Sequence, residues 1–277
     1  MGDLSGRTFL VTGGNTGIGL ATAKGLAGRG GRVYIACRST QKGQAAVADI
    51  AAVSSADQVG LHHLDLADLA SVRACAQEFL ALGEPLHVLI NNAGLGGARG
   101  LTKDGFELTF GVNHLGHFAL TTELLDCLTA SQARVVNVAS DAHYQAKGID
   151  FDALRRPARN ITGMREYAVS KLCNVLFSQE LARRTAGTGV TSYALHPGVV
   201  ASDIWRRVPL PVRPLITHRM LTVEQGAQTS LYCATSPDVA QASGRFYDNC
   251  QERAPSAVAT PELGERLWRQ SEDWTAA

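Results

Sequence analysis

Several things are missing from this 277-residue chain, and each absence removes a class of function. None of its six cysteines forms a C-x-x-C pair, the spacing expected of a zinc or thiol-redox motif. Cys37, Cys75, Cys127, Cys173, Cys233 and Cys250 are scattered, several of them in apolar segments. Reduced, mostly buried thiols in a cytoplasmic protein are therefore expected, not disulfides or metal ligands. Neither sign of charge is in surplus: 26 Lys and Arg against 25 Asp and Glu leave a net charge of +1. The basic pairs Arg155-Arg156, Arg183-Arg184 and Arg206-Arg207 are short and far apart. This balance argues against nucleic acid or an anionic membrane as partner. No apolar run can span a bilayer, and no charged n-region leads into an apolar stretch at the N-terminus. Met1-Gly2 lacks the Ser or Thr that a myristoylation signal needs, since Gly6 stands at that position. Internal repeats and low-complexity tracts are also missing.

What is present is an apolar fraction of 45% with only 18% charged residues, enough for one large core. Short runs rich in Val, Ile, Leu and Tyr predict strands at Thr8–Thr12, Arg32–Ala36, Gly60–Leu64, Val88–Ile90, Arg134–Val138, Val190–Ala194 and Gly244–Tyr247. Longer amphipathic runs predict helices at Gly17–Gly28, Gln41–Ala52, Leu69–Leu80, Gly105–Leu128, Met164–Thr185 and Val223–Thr235. Such alternation predicts a single α/β domain over residues 1–277, a Rossmann-type doubly wound sheet of about seven parallel strands. Sheets of this kind bind ligands at the carboxyl ends of their strands. Two irregular stretches, 141–163 and the proline-bearing 201–221, follow strands and should lie at that end. The second is the expected substrate loop.

The strand ends carry the chemistry. The first runs into Thr12-Gly13-Gly14-Asn15-Thr16-Gly17-Ile18-Gly19, a G-x-x-x-G-x-G turn that opens a helix and can cradle a pyrophosphate. The second ends at Arg38, with no Asp or Glu to hold a ribose 2′-hydroxyl. A guanidinium suits a 2′-phosphate, which predicts NADP(H) over NAD(H). After the third come Asp65-Leu66, where the carboxylate either accepts from an adenine amino group or caps a helix. The fourth ends in Asn91-Asn92-Ala93-Gly94, small enough for backbone to run beside a cofactor, and the fifth at Ser140. The sixth ends in His196-Pro197-Gly198-Val199-Val200, followed by Ser202, and its turn could meet a carboxamide. Finally, Tyr167 and Lys171 stand four apart on a predicted helix, hence on one face. A neighbouring ammonium lowers a phenol's pKa, so Tyr167 is a candidate acid/base.

Taken in order, these motifs resemble the short-chain dehydrogenase/reductase superfamily over nearly the whole chain, and its retinol dehydrogenase-like group in particular. The subgroup likeness rests on Gly111-Val112-Asn113-His114-Leu115-Gly116-His117-Phe118, Val136-Asn137-Val138-Ala139-Ser140-Asp141-Ala142-His143 and Ser170-Lys171-Leu172-Cys173-Asn174-Val175-Leu176-Phe177. The long gap between Ser140 and Tyr167 points the same way. The resemblance implies four catalytic roles. Tyr167 would be the acid/base, Lys171 would lower its pKa and hold the nicotinamide ribose, Ser140 would polarise the carbonyl, and Asn113 would hold a relay water at a helix kink. It also implies cofactor positions at Gly13, Gly17, Gly19, Arg38, Asp65, Asn92 and Ser202. Ala139 replaces a frequent Ser, Ser202 a usual Thr, and Thr16 is neutral where some NADP-using relatives carry a base. The hydrophobic N-terminal anchor of many retinol-active relatives is not seen, which counts against membrane residence.

The implied activity is NADP(H)-dependent interconversion of a lipophilic aldehyde or ketone and its alcohol. Alternatives are a ketoreductase tailoring a secondary metabolite and a non-catalytic NADP(H)-binding redox sensor. Relatives pair through helices corresponding to Gly105–Leu128 and Met164–Thr185, implying a homodimer or homotetramer. His114 and His117 are expected to be structural, since no carboxylate or Cys partner has ligand spacing. His62-His63 is expected to be a strand end. His143 lies nearer the pocket, with contact to substrate the minority expectation. Trp205 either lines the pocket or covers the core.

Overall fold

The computed structural model describes residues 2–55, 58–158, 162–200 and 220–276. Seven strands, β1 (Thr8–Thr12), β2 (Arg32–Cys37), β3 (Val59–His63), β4 (Val88–Asn91), β5 (Arg134–Val138), β6 (Thr191–His196) and β7 (Arg245–Asp248), run parallel. An eighth, β8 (Gln251–Arg253), returns antiparallel beside β7. The spatial order is β3-β2-β1-β4-β5-β6-β7-β8, with the chain reversing direction across the sheet between β1 and β4. Strand β1 is buried at every residue, as a central parallel strand covered on both faces must be. Successive side chains alternate faces. Phe9 and Val11 enter one core with Ala23, Leu26, Ile50 and Leu231, while Leu10 enters the other with Val72, Phe79, Phe118 and Phe177.

Helices α1 (Gly17–Ala27) and α2 (Thr40–Ala51) therefore cover one face, joined by α8 (Val223–Thr235). The other face is covered by α3 (Leu69–Leu80), α5 (Gly116–Glu123) and α7 (Met164–Arg184). The helix expected over Gly105–Leu128 is instead a series: α4 (Leu108–Phe110), a π-helical turn (Gly111–Leu115), α5, then α6 (Leu125–Ala130). Its break has a local cause at Asn113, described below, and a second at Leu124, whose φ of −94° and ψ of 2° leave the helical region.

Two elements were not expected. The β7–β8 hairpin turns at Asn249 and Cys250, whose φ values of 49° and 59° form the tight turn that matches strand twist. Helix α9 (Pro261–Thr275) starts with Thr260 accepting from the Leu263 N–H and with Pro at its first position. It lies on α7 and α5. The Trp268 ring sits 4.9 Å from Phe118 and 5.8 Å from Phe177, and each such aromatic contact adds roughly 0.5–1.5 kcal/mol beyond area burial. Arg184 stacks on Trp268 at 4.6 Å. Among the described residues no helix is long and apolar enough to cross a membrane.

Candidate active site

The glycine turn after β1 is built for close approach. Gly13 and Gly17 have φ of +65° and +55°, which L side chains resist. A Cβ on Gly19 would lie 2.4 Å from both the Gly13 carbonyl oxygen and Asn92 Nδ2. Nothing lies within 4 Å of a Cβ placed on Gly17, so that point of the turn faces open space. The first turn of α1 has no acidic residue, leaving its N–H groups electrostatically suited to an anion. Thr12 ties this turn to the end of β4: its Oγ1 accepts from the N–H groups of Asn92 (2.9 Å) and Ala93 (3.0 Å), and Asn92 Nδ2 donates to the Thr12 carbonyl (2.8 Å). Asn92 is thus a brace for the turn.

Arg38 is exposed just beyond β2, and Ser39 caps α2 by accepting from the Lys42 N–H. The first turn of α2 also has no acidic residue. Lys42, which sequence reasoning passed over, lines a cavity of about 310 Å³ with Asn15, Thr16 and Leu20. Its signal was available, because Arg38 and Lys42 stand four apart across a predicted helix start. Asp65 accepts from the Ala67 N–H at 3.0 Å through Oδ1, so it does brace its own turn; the buried Leu66 lies against Gly116. Around Gly226 of α8, the structure brings together Val200, Ile18 and the Pro197 carbonyl, and Gly198 turns with φ +84°. Ser202, Trp205 and nearly all of the expected substrate loop lie outside the described residues.

The four residues Asn113, Ser140, Tyr167 and Lys171 converge at the ends of β4 and β5. Gly94 marks the meeting point: a Cβ there would lie 3.3 Å from Asn113 Oδ1 and 3.5 Å from Lys171 Nζ. Lys171 Nζ lies 5.7 Å from the Tyr167 ring centre and donates to the Val138 carbonyl at 2.8 Å. Asn113 Oδ1 accepts from the Leu95 N–H, and its Nδ2 donates to the Leu95 carbonyl and to Ser170 Oγ, at 2.9, 2.9 and 3.0 Å. These bonds draw the 95-region into the helix and account for the π turn at this point. Ser140 lies near enough to the Tyr167 phenol to oppose the effect of its burial, and its Oγ accepts from the Ala142 N–H at 3.2 Å.

The electrostatics differ from the sequence-based expectation. Burial raises the Tyr167 pKa, opposed by the Ser140 side chain. Lys171 is itself fully buried, and desolvation lowers its pKa to about 7. At neutral pH the Tyr167 phenol is protonated, the form that can donate. The depressed Lys171 value has a stability consequence. Between about pH 7 and the ordinary lysine value near 10.4, the unfolded chain binds the extra proton, so stability from this group rises with pH. We expect the melting temperature of the cofactor-free protein, minus that of Lys171→Met, to be flat below pH 7 and to rise from pH 7 to 8.5. Differential scanning fluorimetry across that range checks it, and a falling difference would contradict the assignment.

The histidines are structural in specific ways. His117, fully buried with its pKa pushed down to about 4, donates from Nδ1 to the Asn113 carbonyl (3.1 Å) and accepts at Nε2 from Thr12 Oγ1 (2.8 Å). His114 Nε2 meets Ser271 Oγ of α9 at 3.1 Å. His63 ends β3. His143 has no exposed surface, so it is not a substrate contact; both its ring nitrogens are hydrogen-bonded within the protein.

A doubly wound sheet with a glycine-rich first turn and a Tyr/Lys/Ser/Asn cluster at its carboxyl end defines a nucleotide-dependent oxidoreductase. The family model for short chain dehydrogenase matches residues 7–151. Retinol dehydrogenase 12 of Mus musculus is 47% identical over 273 residues, covering 97% of this chain and 86% of the relative. Among solved structures, a putative uncharacterized protein from Mycobacterium paratuberculosis superposes with a TM-score of 0.80 at 34% identity, covering 100% of this chain and 96% of that one. A Pseudomonas aeruginosa RhlG/NADP active-site complex gives 0.71 at 25% identity, with coverages of 93% and 98%. The chain belongs to the short-chain dehydrogenase/reductase family, in its retinol dehydrogenase-like branch.

Proposed function

We propose that this protein interconverts a lipophilic aldehyde or ketone and its alcohol with NADP(H). The observation that carries the reading is the convergence of Tyr167, Ser140, Lys171 and Asn113 beside Gly94. The glycine turn at Gly13, Gly17 and Gly19, with Arg38, would hold a nicotinamide nucleotide, which would supply or take up the hydride at the substrate carbon. Around it, Ser140 Oγ holds the substrate oxygen and Tyr167 Oη delivers its proton during reduction. An oxyanion donor of this kind commonly contributes on the order of a hundredfold or more in rate. Lys171 and Asn113 hold the floor of the site through Val138, Leu95 and Ser170.

NADP(H) preference is supported by Arg38 at the end of β2, by Lys42 beside Asn15 and Thr16, and by the α2 start without a carboxylate. An apolar substrate is supported by Met164, exposed at the start of the Tyr167 helix next to Gly163, which packs on Gly97. Similarity to the mouse relative, a retinol dehydrogenase, adds retinal to the substrates to be tried. The test is oxidation of NADPH by purified protein against lipophilic aldehydes and ketones, with NADH in parallel. Turnover confined to NADH, or to polar carbonyls only, would overturn the reading.

Oligomeric state enters the same proposal. The pairing implied by the resemblance would run through α5 and α7; α9 packs on α7 through Leu267 and touches α5 through Trp268 at Phe118. No large apolar side chain on α5, and only Met164 on α7, is exposed. We therefore expect light scattering after gel filtration to give a monomer mass of 29.4 kDa. A dimer cross-linked through α5 and α7 would contradict this.

A further inference from the structure

The peptide unit joining Ser140 to Asp141 is gripped on both sides by buried imidazoles. On one side, the Ser140 carbonyl accepts from His143 Nδ1 at 2.7 Å and from the His143 backbone N–H at 3.1 Å. On the other, the Asp141 N–H donates to His196 Nδ1 at 3.3 Å. The tautomers follow from these partners. His143 Nε2 accepts from the Ser256 N–H at 3.1 Å, so its proton is on Nδ1. His196 accepts at Nδ1, so its proton is on Nε2, which faces the Asp141 carboxylate at 3.7 Å. Thus two rings with opposite tautomers hold one peptide plane.

The His143 side of the grip reaches a remote part of the chain. Ser256 belongs to the segment between β8 and α9. Three further contacts fasten that segment and the end of β8 to the same turn: Tyr144 Oη donates to the Ala254 carbonyl at 2.5 Å, Arg253 bonds Asp141 at 3.3 Å, and Arg253 lies 4.9 Å over the Tyr144 ring. The His143 ring is itself packed against Tyr144 and Phe246, with centres 4.0 and 4.8 Å away. A residue so enclosed cannot meet substrate. It can fix the direction of the neighbouring hydroxyl, and misplacing a reacting group by about 1 Å can cost on the order of a hundredfold.

We propose that His143 is a positioning residue for Ser140, through which the segment leading into α9 holds the Ser140 hydroxyl toward Tyr167 and the substrate oxygen. The proposal rests on the function given above. Its test compares wild type with His143→Phe, which keeps a ring and loses both bonds, and with His143→Asn, whose amide can still donate to the Ser140 carbonyl. For His143→Phe we expect kcat to fall about tenfold or more, with NADPH affinity within about twofold of wild type and the melting transition intact; His143→Asn should recover most of kcat. A second readout needs no turnover: the ultraviolet ionisation of Tyr167, obtained by difference from Tyr167→Phe, should move to higher pH in His143→Phe as the Ser140 hydrogen bond is lost. Unchanged kcat and Tyr167 ionisation in His143→Phe would overturn the proposal. So would kcat and NADPH affinity falling together without recovery in His143→Asn. A wild type that binds NADPH but turns over no carbonyl would sink the proposed function instead, and the Tyr167 titration would still decide the role of His143.

Discussion

Tyr167→Phe should reduce turnover of the best aldehyde by about a hundred- to ten-thousand-fold while leaving NADPH bound nearly as tightly as in the wild type. The magnitude follows from the site. Tyr167 lies beside Ser140, and burial keeps its phenol protonated near neutral pH. Ser140 can hydrogen-bond a carbonyl oxygen, but an alcohol donor does not replace the lost acid in the same geometry. Lys171 does not stand in its place either: its Nζ lies on the Val138 carbonyl, 5.7 Å from the Tyr167 ring centre. The variant keeps the ring and its packing, so the glycine turn at Gly13, Gly17 and Gly19 has no reason to change. Stopped-flow turnover combined with NADPH fluorescence separates the two quantities. Activity retained in Tyr167→Phe would remove the phenol from the chemistry.

Arg38→Asp should invert the nucleotide preference, with the ratio of kcat/KM for NADPH over NADH falling on the order of a hundredfold or more. A guanidinium facing a 2′-phosphate makes a charge-assisted bond, whereas a carboxylate there is repelled by that phosphate and can accept from a free 2′-hydroxyl. Lys42→Ala, by contrast, should lower the ratio only several-fold, since Lys42 is exposed and its charge is screened by solvent. Steady-state kinetics with both nucleotides measures these ratios. An unchanged ratio in Arg38→Asp would mean that 2′-phosphate recognition, if present, is carried elsewhere.

The parts of this protein that could be read along the chain are those with local causes. Strand–helix alternation, the glycine turn and the Tyr167–Lys171 spacing each depend on residues near one another, and all appear close to the expected bounds. The failures have causes in distant contacts. The helix expected to run unbroken through Gly105–Leu128 is interrupted where Asn113 bonds Leu95, eighteen residues away. Strand β8 is three exposed polar residues with no alternation to detect; it exists because β7 offers an open edge and Asn249-Cys250 turns tightly. Helix α9 did carry readable signals, Thr260 before Pro261 with Leu263, Leu267, Trp268 and Trp274 following, but they say only that a helix forms and not what it covers.

The same division holds at the site. Residue type and order were enough to identify the family, the glycine-rich turn and the four clustered side chains, because those demands are met by particular atoms at the ends of successive strands. Only the folded arrangement decided the protonation of Tyr167, because a phenol's pKa depends on whether its neighbouring lysine is solvated, and Lys171 is buried. Only it revealed that His143 and His196 share one peptide plane and that α9 lies on α5 and α7. Those relations join residues scores of positions apart, and sequence periodicity carries no information about contacts at that separation.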